Sequence, residues 1–151
     1  MTVRVQQQDF DLGEELKALT DGNHAIGGLC SFTGLVRDMN QGGDIGAMTL
    51  EHYPGMTEKM LERIEEQANE RWPLGATLII HRYGRLNPGE QIVLVAAASA
   101  HREAAFDACH FLIDFLKTKA PFWKVEEDDT GTAHWVEAKG SDDAASDRWN
   151  K

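Results

Sequence analysis

Between Ala76 and Lys119 the chain reads as two apolar strands followed by one long helix. The runs "ATLIIHRYG" and "QIVLVAAAS" are joined by a short connection at Asn87-Pro88-Gly89, a strong turn signal. From Ala100 to Lys119 the period becomes helical, with Ala104, Ala108, Phe111, Leu112 and Phe115 on a buried stripe. Pro121 then forbids continuation. "VRVQQQ" alternates like a short first strand, and Asp11 with Glu14 forms a capping-box-like start for a helix carrying Leu12, Leu16 and Leu19. Residues 25–36, "AIGGLCSFTGLV", suit a buried strand, "RDMNQGGDIG" a mobile loop, and "AMTLEHY" a strand closed by Pro54-Gly55. Thr57 to Trp72 is amphipathic, with Met60, Leu61, Ile64 and Ala68 on one side and Glu and Arg opposite. "FWKVEE" and "AHWVEAK" make a last hairpin across "DDTG", before a polar tail. Strands and helices mix without regular βαβ alternation. The expected class is α+β, with mixed and antiparallel strands and two main helices in one domain over 1–139 and a tail over 140–151.

The chain's 151 residues suffice for a core without staples, and a formal charge of −10 argues against nucleic acid or an anionic membrane as partner. No apolar run reaches spanning length and no signal peptide opens the chain, so a cytoplasmic protein is expected. Cys30 and Cys109, far apart, read as reduced core thiols. The six histidines show no metal-like spacing with a third ligand, and no glycine pattern matches a phosphate loop or dinucleotide fingerprint. Neither a metal nor a cofactor is expected.

Against this acidic background, "DFLKTKAPFWK" gathers Lys117, Lys119 and Lys124 around Pro-Phe-Trp. Lys117 and Lys119 fall in the last helical turn, where cations are favoured. Lys124 must be presented on one face of a strand. Because Pro121 turns the chain sharply, Lys117 and Lys124 can converge on one pocket walled by aromatics, where a partly desolvated lysine could act as acid, base or nucleophile. Two further features suit anions. Ser99 is a plausible N-cap that puts His101 and Arg102 in a helix's first turn, and Arg37 closes the glycine-rich strand. Each is equally at home as a solvated surface charge.

Taken together, "FTGLVR", "LEHYPGMTEKML", "RWPLGATLIIHRYGRLNPGE", "SAHREAAFDAC", "DFLKTKAPFWK" and "HWVEA" resemble the large, catalytic subunits of molybdopterin synthase, the MoaE family. The resemblance spans most of residues 25–138 in order. It implies an α/β hammerhead, a central homodimer, and one small ubiquitin-like sulfur-carrier subunit per protomer, making a heterotetramer. The carrier's C-terminal Gly-Gly thiocarboxylate would supply sulfur to cyclic pyranopterin monophosphate. By motif, Lys117 and Lys124 become the catalytic candidates. Arg37, His101 and Arg102 match the substrate pocket, Phe32 is a wall, and the backbone around Leu35-Val36 and Val125-Glu126 borders it. Leu35 and Val125 depart from the family pattern, standing where polar or basic residues are common. From residue 102 to 117 a helix spans about 22 Å, so His101 and Arg102 are expected to come from a second protomer. The competing reading is a non-catalytic dimeric scaffold binding an acidic peptide tail or a phosphorylated metabolite.

Overall fold

The computed structural model describes residues 2–37, 39–40, 43–44, 47–127, 133–136, 147 and 149. The fold is α+β, as expected. A four-stranded sheet has the order β1 (Thr2–Gln6), β6 (Leu74–Arg82), β8 (Gln91–Ser99), β2 (Gly28–Leu35). Among the described residues only β1 and β6 pair in parallel; β8 is antiparallel to both its neighbours. A second antiparallel sheet has the order β10 (Ala133–Val136), β9 (Phe122–Glu127), β5 (Ala47–His52), β7 (Gly84–Leu86).

The first sheet is covered on both faces, which is why its strands read as unbroken apolar runs. Ile79, Val93, Val95 and Ala97 point one way, into a core with α2 (Met56–Arg71) and α3 (Arg102–Lys119). Leu78, Ile80, Leu94 and Ala96 point the other way, onto Phe10 and Leu12, Leu16 and Leu19 of α1 (Leu12–Thr20). Asp11 caps α1 through Oδ1, which accepts from the Glu14 N–H at 3.0 Å. Cys109 is buried beside half-buried Cys30, and both are free thiols. Burial pushes the Cys109 thiol up from its ordinary range.

Four expectations need correction. Residues 25–36 do not form a buried strand: β2 is a sheet edge, and Leu29, Phe32 and Leu35 are exposed. Absence of charge signalled an apolar surface, not a core position. Ser99 does not cap α3; it ends β8, and its hydroxyl donates to the Pro73 carbonyl at 2.7 Å. The N-cap is His101, extended and without a side-chain cap bond. The link between the two central strands carries β7, which belongs to the second sheet. Within the glycine-rich loop, Met39–Asn40 (β3) pairs with Gly43–Asp44 (β4), while 38, 41–42 and 45–46 lie outside the described residues.

The tail read as polar holds an anchor. Trp149 sits edge-on to Trp72 and Phe111, its Nε1 donates to Asp114 Oδ2 at 2.7 Å, and its carbonyl accepts from Arg71. Glu65 is a further surprise. The helical pattern put glutamates on the solvent side of α2, yet Glu65 is buried and accepts the Thr2 N–H at 3.2 Å. Burial pushes its carboxyl from 4.5 up to about 7, against the pull of that N–H. The folded state therefore holds a proton that the unfolded chain releases. Stability conferred by this group is present at low pH and is lost as pH climbs from about 4.5 through about 7. Glu65→Gln is expected to remove that slope and to gain up to about 3 kcal/mol over wild type at pH 8. Urea unfolding at pH 5 and pH 8 checks this; an equal pH slope in both proteins counts against it.

Candidate active site

Local sequence fixes where α3 begins and points. A Cβ on Gly27 would lie 2.2 Å from the Ala100 carbonyl oxygen, and one on Gly28 would lie 3.2 Å from the Arg102 Cα. The bare glycines let the helix start flush against the first residues of β2. Cys109, the eighth of the 18 residues of α3, then lies beside Cys30. The helix thus runs alongside β2 in the same direction, so its last turn, which carries Lys117, lies toward the C-terminal end of β2. His101 and Arg102 are exposed at the opposite end.

At the Lys117 end the chain turns at Pro121 and returns as β9. The turn is pinned from α2. The Thr57 hydroxyl, fully buried, donates to the Pro121 carbonyl at 3.2 Å and accepts from the Tyr53 N–H at 3.1 Å. Gly55, at φ +86° in the left-handed region, allows the tight entry into α2, and Glu58 accepts its N–H. β9 then pairs with β5, setting Phe122 opposite His52 and Lys124 opposite Leu50. Alternation puts Phe122 and Lys124 on one face of the strand.

That face meets His81, near the end of β6 and only 5% exposed. The His81 and Phe122 rings stack with centroids 3.7 Å apart and planes 17° off parallel. His52 continues the aromatic floor, 4.3 Å from the Tyr83 ring, with its Nε2 3.7 Å from Glu58 Oε1. The charges of both Lys117 and Lys124 bear on His81. Burial first, then those two lysines and His52, push its imidazole from 6.5 down to about 4, against the bond from its Nδ1 to the Arg82 carbonyl. It is neutral at pH 7. The charges of both lysines thus act on one buried imidazole that stacks on Phe122. The sequence reading had not singled out His81, His52 or Thr57. The available signal was a histidine inside the apolar run "LIIHRYG", where an imidazole must be buried.

The remaining sequence-derived positions divide between two ends. Arg37 and Leu35 (57% exposed) are exposed at the C-terminal end of β2, toward which α3 runs. Val36 is buried among Met48, Leu50 and Leu86, with its N–H bonded to the Glu90 carbonyl and its carbonyl to the Gly89 N–H. Phe32 is 42% exposed on β2, opposite Val95. Val125 and Glu126 pair with Thr49 and Met48 in register with Lys124. Within one protomer, His101 and Arg102 are not brought to the lysines.

The model of the MoaE protein family matches residues 5–119. The molybdopterin synthase catalytic subunit of Pseudomonas aeruginosa is 56% identical over the whole of both chains. The chain belongs to the MoaE family. Among solved structures, the molybdopterin biosynthesis MoaE protein of Burkholderia ambifaria superposes with a TM-score of 0.85 at 51% identity, covering 99% of this chain and 98% of that one. A molybdopterin synthase from Staphylococcus aureus gives 0.81 at 30% identity, covering 89% and 96%. This MoaE chain is accordingly a sulfurtransferase subunit that forms molybdopterin in molybdenum cofactor biosynthesis.

Because one hydroxyl holds the turn that aims both lysines, Thr57→Val is expected to cost about 1–3 kcal/mol by stranding the Tyr53 N–H and the Pro121 carbonyl. Turnover should fall as well, since the lysines lose their common support. Chemical denaturation and a turnover assay on the same sample check this, and unchanged values in both would count against the pinning role.

Proposed function

We propose that Lys117 and Lys124 form the sulfur-transfer centre of this MoaE chain, with Lys117 meeting the incoming thiocarboxylate and Lys124 orienting the pterin or shuttling a proton. The supporting observation is that both lysines bear on one buried neutral imidazole, His81, across an aromatic floor. A thiocarboxylate and a phosphorylated pterin are both anions. Two ammonium groups over a neutral base of aromatic rings attract them and stabilise the charge that develops as sulfur leaves the acyl carbon. In a chain of formal charge −10, such a pocket focuses anions that the rest of the surface repels.

The substrate in this reading is cyclic pyranopterin monophosphate, and the sulfur donor is a small ubiquitin-like subunit ending in a Gly-Gly thiocarboxylate. Arg37, His101 and Arg102 hold the phosphate. Phe32 walls the pocket, and the backbone at Leu35-Val36 and Val125-Glu126 borders it. Residues 1–139 act as one catalytic domain in the cytoplasm, with 140–151 as a tail. His101 and Arg102 come from a second protomer. Two observations favour this: α3 separates Arg102 from Lys117 by about 22 Å, and β2 is the edge strand of its sheet among the described residues, with Leu29, Phe32 and Leu35 exposed along it. A homodimer covering that edge, with one small subunit on each protomer, completes the pocket.

The deciding experiment is reconstitution with a thiocarboxylated small subunit and the pterin precursor, following dithiolene formation. Lys117→Ala is expected to abolish turnover and Lys124→Ala to cut it strongly, both without loss of fold. Lys119→Ala should be tolerated. A well-folded Lys117→Ala protein with near-normal turnover would falsify the assignment, leaving the non-catalytic scaffold as the better account.

The shared pocket has its own test. Arg102→Ala and Lys117→Ala homodimers should each be dead, and mixing them should restore activity up to about half of wild type per heterodimer, from the one pocket with both residues intact. Subunit exchange verified by native mass spectrometry without recovered activity would rule the shared site out.

A further inference from the structure

β1 is the edge strand of its sheet among the described residues, and a buried acid lies beneath its start. We propose that Glu65 is a proton-operated latch on β1: the strand stays closed over the neutral acid and lifts from the sheet as the acid ionises.

The geometry places the carboxyl under the strand. Glu65 is 1% exposed, while Glu62, Glu66 and Glu70 of the same helix are exposed. Its Oε2 accepts the Thr2 N–H at 3.2 Å. Thr2 is itself exposed, so the carboxyl is covered by the first residue of a strand that has water on its far side. β1 pairs with β6 through five residues, from Thr2 opposite Leu78 to Gln6 opposite Arg82, and Val3 and Val5 pack against the α2–α3 core. Lifting this one strand brings water to Glu65. The alternative is to part Leu61, Ile64 and Ala68 of α2 from a core in which they are 0–2% exposed. That route exposes far more apolar surface.

The surroundings leave the choice of protonation state to burial. The Thr77 hydroxyl on β6, 1% exposed, also acts on this carboxyl. A hydroxyl donates to a carboxylate or accepts from an acid, so it serves both forms. The amino-terminal charge ahead of β1 favours the carboxylate, and Glu62 on α2 opposes it. Arg4 alternates with Val3 and Val5 onto the other face of β1, where it pairs with Glu15 of α1. No charge from β6 or α3 bears on Glu65 among the described residues. Burial outweighs the rest and pushes the carboxyl from 4.5 up to about 7 while the strand is closed. An opened strand returns the carboxyl to water and to about 4.5. Opening thus releases a proton, and it becomes easier as pH rises from about 4.5 through about 7.

The test is amide hydrogen exchange on the full chain at pH 6 and pH 8, corrected for the intrinsic pH dependence of exchange, with and without urea below the unfolding transition. The β1 amides are expected to exchange through an opening that urea hardly promotes, whereas the β8 amides require global unfolding. The β1 opening constant should rise about 10-fold from pH 6 to pH 8, the ratio imposed by values of 4.5 and about 7. Glu65→Gln is neutral at every pH and still accepts the Thr2 N–H, so it should abolish that rise. β1 exchange with the same urea dependence as β8 overturns the latch, because the strand then opens only with the whole fold. A rise of equal size in Glu65→Gln overturns it as well, because another group then works the strand. A flat wild-type response has the same force. Should Glu65→Gln fail to fold, carbon NMR of the wild-type Glu65 carboxyl decides: a titration midpoint near 7 supports the latch, and one near 4.5 removes it.

Discussion

The fold depends on one packing event, the burial of the α3 stripe on β6 and β8. Phe111 and Leu112 are fully buried there against Val93, Val95 and Ala97, with Leu61 and Ile64 of α2 closing the other side. Side chains of this size contribute roughly 1.5–3 kcal/mol each when removed from water. The same contact is also directional. It sets α3 along β2, and thereby decides that Lys117 leaves the core at the end where β2, β6 and the Pro121 turn meet. The chemistry inherits its address from apolar packing.

Electrostatics at that address follow from burial and from the charges gathered there. His81 is buried, stacked on Phe122 and bonded through Nδ1 to the Arg82 carbonyl, and burial first, then the charges of Lys117 and Lys124, disfavours its charged form. Three carboxyls have named partners: Glu58 the Gly55 N–H and His52, Glu90 and Asp9 the Arg82 guanidinium. In a chain of formal charge −10, Lys117 and Lys124 thus bring two cations to one small region. Attraction of an anionic tail toward it needs no general positive surface.

Much of this was legible in the residues. Strand and helix order, the Asp11 cap, the Pro121 turn and the convergence of Lys117 with Lys124 follow from periodicity and breaker residues, which act over a few positions. What escaped depends on partners distant in sequence. The Ser99 hydroxyl could cap a helix locally, but the Pro73 carbonyl claims it. Glu65 reads as solvent-facing by residue type, but it alone of the α2 glutamates is buried, where β1 supplies the Thr2 N–H. β2 looked buried because it lacks charge, and composition alone does not distinguish a core from an apolar surface. His81 escaped for a related reason: one polar residue in an apolar run says that it is buried, not what it faces.

Gly27 and Gly28 carry a consequence of another kind. Any residue other than glycine at position 27 drives a carbon into the Ala100 carbonyl, and backbone there has nowhere to retreat but outward along α3. That helix, with 18 residues, is a rod about 27 Å long. A tilt imposed at its first turn is magnified at its last, where Lys117 stands. The positions least free to drift thus include two that carry no chemistry and lie a full helix away from the lysines. In a lineage of such chains, those glycines constrain the reaction as a fulcrum constrains a lever.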